Sequence, residues 1–154
     1  MIGTELYFSL FTGVLLSLLF AERFGISPAG LVVPGYLALI FDQPVMLFSI
    51  LIISCLTYII VDKVLSKIII LYGRRKFSAM ILTAMVLKFI FDASFPYAPV
   101  PYDMIEITGI GMVIPGIIAN TIQRQGVVIT LSSSLFVTFL TYALLNVYNY
   151  VVLL

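Results

Sequence analysis

VMLFSILIISCLTYIIV, residues 45–61, is one apolar block without a charged residue. A half-exposed strand or helix would show polar residues at a period of two or about 3.6, giving water one face. This block gives water no face. At about 1.5 Å per helical residue it approaches the roughly 30 Å of a bilayer's hydrocarbon core. A membrane β-barrel would need short segments alternating apolar and polar, which an unbroken run does not supply. The expected element is a membrane-crossing helix.

The rest of the 154-residue chain has the same character, with 62% hydrophobic and 10% charged residues and a mean hydropathy of +1.22. A soluble domain carries about 25% charged residues, so this composition cannot coat a globule. Polar punctuation cuts the chain into six apolar segments, 5–21, 29–41, 45–61, 77–95, 107–122 and 127–152. The second and fifth are short and contain Pro34-Gly35 and Pro115-Gly116. Ahead of the first run stands Glu5 and no basic residue, so residues 6–21 are expected to be a retained span rather than a cleaved signal. The expected fold is an all-α membrane protein, a polytopic bundle of about six spans forming a single transmembrane domain over 1–154.

Basic residues orient such a bundle, because loops rich in Lys and Arg stay in the cytoplasm. With the mixed stretch 62–76 inside, six crossings also put Arg23 and Arg124 inside. The loops at Asp42-Gln43 and Pro96 to Glu106 fall outside with no Lys or Arg, as do both termini.

An internal repeat is visible. Gly30, Pro34, Gly35 and Ala38 match Gly111, Pro115, Gly116 and Ala119 at one constant displacement. The halves are approximately 1–73 and 74–154, each with a span, a Pro-Gly segment and a second span. Three crossings per half would insert the second half upside down, an arrangement that points to a midplane site in transporters. If the Pro-Gly segments are re-entrant hairpins, each half crosses twice and the inversion disappears.

Several function classes are excluded or disfavoured. A net charge of +1 leaves no basic face for nucleic acid. The lone Cys55 cannot form a disulfide framework, and without histidine the commonest general base and metal ligand is missing. No glycine loop ends in Gly-Lys-Ser/Thr, so ATP use of that kind is excluded. No cofactor, metal or catalytic constellation is expected.

The candidate site residues each admit two readings. Pro34, Gly35, Pro115 and Gly116 should break their helices, leaving N–H groups that favour anions, or they are kinks for close packing. Lys88 falls near the middle of its span with Asp92 one turn away, either a structural ion pair or a midplane cation for an anionic substrate. Asn120 and Gln123, with Arg124 and Gln125, either line an inner entrance or bond between helices. Glu22-Arg23 and Arg74-Arg75-Lys76 either snorkel at the inner interface or dock a cytoplasmic protein or anionic lipid.

Blocks along the chain resemble a known family. Phe20-Ala21-Glu22-Arg23, Pro28 to Ala38, Ile70 to Phe77, and Gly109-Ile110-Gly111 through Pro115 to Gly126 are similar to the integral membrane component (PgsC/CapC) of bacterial poly-γ-glutamate synthase. The resemblance covers nearly the whole chain. It implies a multi-pass protein of the bacterial cell membrane, needed to make a γ-polyglutamate capsule or secreted polymer. The implied partners are a cytoplasmic ATP-dependent amide ligase, which activates the carboxyl, a membrane-anchored extracellular component, membrane lipid and the polyglutamate chain. On this reading the chain is a non-catalytic member of the complex. The residue readings above add an expected polymer path past Pro34, Gly35, Lys88, Asp92, Pro115, Gly116, Asn120 and Gln123, leading outward, with the ligase docked at Arg74, Arg75 and Lys76. Asp42 and Thr108 depart from the family's usual Asn and basic residue. Rival expectations are an autonomous secondary transporter of a small anion and an intramembrane enzyme.

Overall fold

In the computed structural model, residues 2–70, 72–95 and 105–154 are described, with side chains for 4–70, 72–95 and 111–154. Most of the expected outer loop from Pro96 to Glu106, and the side chains of Thr108 to Ile110, lie outside these residues. The described residues form six helices. They are α1 (Ile2–Phe24), α2 (Val33–Leu39), α3 (Pro44–Ile60), α4 (Arg74–Ser94), α5 (Ile105–Gln125) and α6 (Val127–Leu153). A π turn, Val61–Leu65, and a last turn, Ser66–Ile68, prolong α3. Among the described residues, four helices are long and apolar enough to cross a membrane: Thr4–Phe24, Pro44–Ile68, Arg74–Ser94 and Val127–Leu153.

The Pro-Gly segments part company. Pro34 sits in the first turn of α2, where its missing N–H costs nothing, and residues 25–32 before it are non-helical. Pro115 lies inside α5, which runs unbroken from Ile105 to Gln125. The expected break at Pro115, and the helix N-terminus there, are therefore corrected. Proline at this position forfeits one bond, to the carbonyl of Gly111, and a packed neighbour lets the helix continue. At seven residues, α2 rises about 10 Å and cannot cross a bilayer as helix alone.

The chain divides into two compact units, Met1–Leu47 with Gln125–Leu154, and Phe48–Arg124. In the first unit, α1 and α6 run antiparallel, with Phe8 stacked on Tyr148 at 4.0 Å and Phe20 near Phe136 at 6.0 Å between ring centroids. Against them lies α2. The carbonyl of Gly35 accepts a 2.7 Å bond from Ser9 Oγ, and a methyl group on Gly13 would run into Cα of Gly35. In the second unit Val61, Met80 and Ala119 close a core over α3, α4 and α5, with Tyr58 packed on it.

Both units are inverted in polarity relative to a water-soluble protein. Phe11, Phe48, Leu82, Phe89 and Phe139 are exposed, while Ser9, Ser54, Thr57, Ser134, Thr138 and Thr141 are buried. The inward hydroxyls mostly bond back to their own helix, as Thr57 does to Ile53 O at 2.7 Å and Thr141 to Val137 O at 2.9 Å. Small residues on such faces let helices approach where lipid supplies no hydrophobic drive for association.

The contact of α1 with α2 is between backbones, so neither side can yield to an added methyl. Gly13→Ala is expected to cost about 1–3 kcal/mol, lowering the thermal midpoint of the purified chain in detergent. Gly25→Ala is the contrasting case: an added Cβ meets nothing within 4 Å, but φ is +67°, so any loss there reports turn strain instead. An unchanged midpoint for Gly13→Ala would contradict the contact.

Candidate functional site

The candidate residues fall in both units. Pro34 and Gly35 are buried in the first unit, where Gly35 serves as the approach surface for α1. Lys88, Asp92, Pro115, Gly116, Asn120 and Gln123 belong to the second. There Gly116 plays the same part, since an added Cβ would lie 2.7 Å from Cα of Ile81 on α4. Asn120 and Gln123 follow on α5, both half-buried.

Lys88 is the buried cation. It is 5% exposed, and its Nζ lies 2.9 Å from Asp92 Oδ1. The pair is lopsided, for the Asp92 side chain keeps 44% of its surface exposed. Spacing of one turn on α4 brings the two together, as expected from the sequence. The Lys88 ammonium also stands 5.8 Å from the Phe91 ring centroid, within reach of its quadrupole. A buried ammonium held by one half-exposed carboxylate can exchange that carboxylate for another without being left bare.

At the other end of α4 three cations occupy the first turn, where the helix dipole is unfavourable to positive charge. Lys76 is relieved by Asp62, 3.2 Å away on the π turn. Arg74 and Arg75 are exposed. The extra residue of the π turn shifts Ser66, whose hydroxyl reaches back five residues to the carbonyl of Val61 at 3.0 Å.

Three polar contacts escaped sequence reasoning. Tyr142 donates to Asp42 Oδ1 at 2.5 Å across a hundred residues of chain, and no local pattern signals such a pair. Asp62 and Lys76 stand fourteen residues apart. The opposite signs within the mixed stretch 62–76 were the available hint. The Gln125 amide, oriented to match its partners, donates to Ser27 O at 3.1 Å and accepts from Ser27 N–H at 2.9 Å. It clamps the non-helical stretch before α2, where Gly30 N–H also bonds Ser27 Oγ at 3.3 Å. Gly126, at φ +99°, makes the one-residue turn into α6 that holds Gln125 there.

Comparison with known proteins agrees with the residue pattern. Residues 12–131 match the family described as Capsule biosynthesis CapC. The chain is 56% identical over 148 residues to the PGA biosynthesis protein CapC of Bacillus subtilis (strain 168), covering 96% of this chain and 98% of that one. It is 51% identical, with the same coverage, to the Capsule biosynthesis protein CapC of Bacillus anthracis. No solved structure matches. With the buried polar stripes, long apolar helices and motif blocks all in place, this chain belongs to the CapC family of capsule biosynthesis proteins.

Proposed function

We propose that the chain is the integral membrane component of a poly-γ-glutamate synthase in the bacterial cell membrane. It anchors a cytoplasmic ATP-dependent amide ligase at its inner end and passes the polymer outward, beside a membrane-anchored extracellular partner. Family membership supports the setting, and Lys88 carries the mechanism. The polymer bears one carboxylate per residue. A buried ammonium whose counter-ion is half in solvent can trade Asp92 for a passing carboxylate at little net electrostatic cost. Activation of the glutamate carboxyl belongs to the ligase, and this chain is non-catalytic. At the inner end Arg74 and Arg75 are the docking cations, whereas Lys76 is spent on Asp62.

The halves are read as inverted copies. Helices α3, α4, α5 and α6 each reverse the direction of the chain if each crosses the bilayer. Since α1 is antiparallel to α6, it then shares the direction of α3, and residues 25–43 must carry the chain back across. Eight residues at up to about 3.3 Å each, plus about 10 Å of α2, can cover a layer of roughly 30 Å. Further support comes from α3 and α6. Leu56-Thr57-Tyr58 matches Leu140-Thr141-Tyr142, and buried Ser49, Ile53, Ser54 and Val61 match buried Ser133, Val137, Thr138 and Leu145 at the same displacement. Even the back-bonds correspond, Ser54 to Ile50 O and Thr138 to Ser134 O, both at 2.6 Å.

In a Cys55→Ala background, Gln43→Cys and Arg124→Cys should be labelled by an impermeant thiol reagent from opposite faces of the membrane. Labelling from one face would remove the inversion. Lys88→Met is expected to cut secreted polymer about tenfold or more, with the ligase still co-purifying. The double variant Lys88→Met/Asp92→Asn should stay deficient, because neutralising the pair does not restore the cation. Recovery of output in the double variant would make the pair structural and end the conduit reading. Arg74→Gln with Arg75→Gln should release the ligase in mild detergent while leaving the chain's own thermal midpoint in place, and retained co-purification would refute docking there.

A further inference from the structure

We propose that the end of α3 and the link to α4 form a seat for anionic phospholipid, built on Lys63, Lys67 and the isoleucines that follow them. The proposal rests on α3 crossing the bilayer, and on neither the polymer path nor ligase docking at Arg74 and Arg75. One row of α3 and its prolongation carries Ile52, Leu56, Ile59, Lys63 and Lys67, three or four residues apart and all exposed. The opposite row, Ile50, Ser54, Thr57 and Val61, is buried. The outward row therefore changes from aliphatic to cationic within about one turn, and whatever packs beside Ile59 borders Lys63 directly. For a membrane span that neighbour is a phospholipid, acyl chains first and headgroup next.

Beyond the lysines the surface turns apolar again. Ile68 and Ile70 are each 76% exposed, and Tyr72 is 80% exposed. The helix ends at Ile68, Ile69 is extended, and Gly73 at φ +59° turns the chain into α4. The ion pair of Asp62 with Lys76 ties the two helix ends together at 3.2 Å. It also uses the one carboxylate of the stretch 62–76, so among the described residues Lys63 and Lys67 have no ionic partner. Water would satisfy the two ammoniums and leave the isoleucines and Tyr72 bare. Hydrocarbon would do the reverse. The boundary between headgroups and acyl chains takes both, because lysines reach outward while their apolar neighbours sink. Two unpaired cations give that boundary a preference for an anionic headgroup. An acidic protein would pair the lysines only by displacing the lipid that continues from Ile59.

The test uses the full chain purified in detergent, titrated with phosphatidylglycerol or, as the neutral control, phosphatidylcholine. Phosphatidylglycerol should raise the thermal midpoint of the wild type more than phosphatidylcholine does. In Lys63→Gln/Lys67→Gln the apparent affinity for phosphatidylglycerol should fall roughly thirtyfold, about fivefold per lysine. Lys63→Arg/Lys67→Arg should restore it. The lipid-free midpoint should stay in place, since neither lysine has an ionic partner to lose. Equal effects of the two lipids would overturn the proposal, as would unchanged affinity in the glutamine variant. A larger loss in Arg74→Gln/Arg75→Gln would put the lipid on α4 and overturn it too. If the glutamine variant instead releases the ligase and keeps its lipid preference, the segment is a protein surface and the seat is wrong. The chain has no tryptophan, so Ile70→Trp gives a single fluorophore for a second reading. In phosphatidylglycerol vesicles, lipid brominated along its acyl chains should quench it. Quenching by aqueous acrylamide alone would place the segment in water and refute the seat. A chain that does not reconstitute at all would end the membrane-crossing reading, and the seat with it.

Discussion

A backbone that leaves the helix inside hydrocarbon must find its own hydrogen bonds, because lipid tails supply none. Residues 25–32 leave the helix between α1 and α2, and much of the first unit is arranged around them. Gln125 holds both backbone groups of Ser27, Ser27 Oγ receives Gly30 N–H, and Ser9 bonds the carbonyl of Gly35 in the helix that follows. Remove the one-residue turn at Gly126 and the clamp loses its place. Remove the room that Gly13 leaves for Gly35, and α2 can no longer lie close enough for Ser9 to reach it. The non-helical stretch, the short helix and the small-residue face of α1 are one constraint met by three kinds of residue.

The same constraint separates the two Pro-Gly segments, which look alike in sequence. Helical apolar content decided the long spans, so their ends were readable to within a few residues from the charges and glycines that bound them. What proline does is set by its surroundings. Pro115 has helical residues on both sides and a close neighbour in Ile81, so losing one bond is cheaper than unwinding. Pro34 follows a non-helical stretch in which Ser27 and Gly30 have partners outside any helix, so it can start a helix instead. Partners such as Gln125 for Ser27, or Tyr142 for Asp42, lie about a hundred residues apart, and hydropathy carries no record of them. Lys88 with Asp92 was legible because both lie on one helix at one-turn spacing, and the burial of one partner with exposure of the other was not.

That asymmetry bears on what the second unit can do. A fully buried ion pair is a closed unit, whose separation exposes two unmatched charges at a cost of several kcal/mol. Here the carboxylate already lies half in the open, so replacing it with another carboxylate leaves the ammonium paired throughout. The nearby Phe91 ring adds a weak, non-directional attraction that does not compete for the ammonium's hydrogen bonds. Such a site favours exchange of one carboxylate for another over permanent capture.

The opposite end of α4 poses the complementary electrostatic problem. Three cations stand in a first turn whose dipole repels them, and Asp62 on the π turn relieves Lys76 alone. For Arg74 and Arg75 the helix offers no compensation, so any acidic surface that covers them gains both the pairing and relief from the dipole. An acidic partner seated there would stand at the first turn of the helix that carries Lys88, with about 20 Å of α4 between them. One helix thereby joins the two uncompensated cations of its first turn to the buried Lys88, and its rigidity fixes the distance between them.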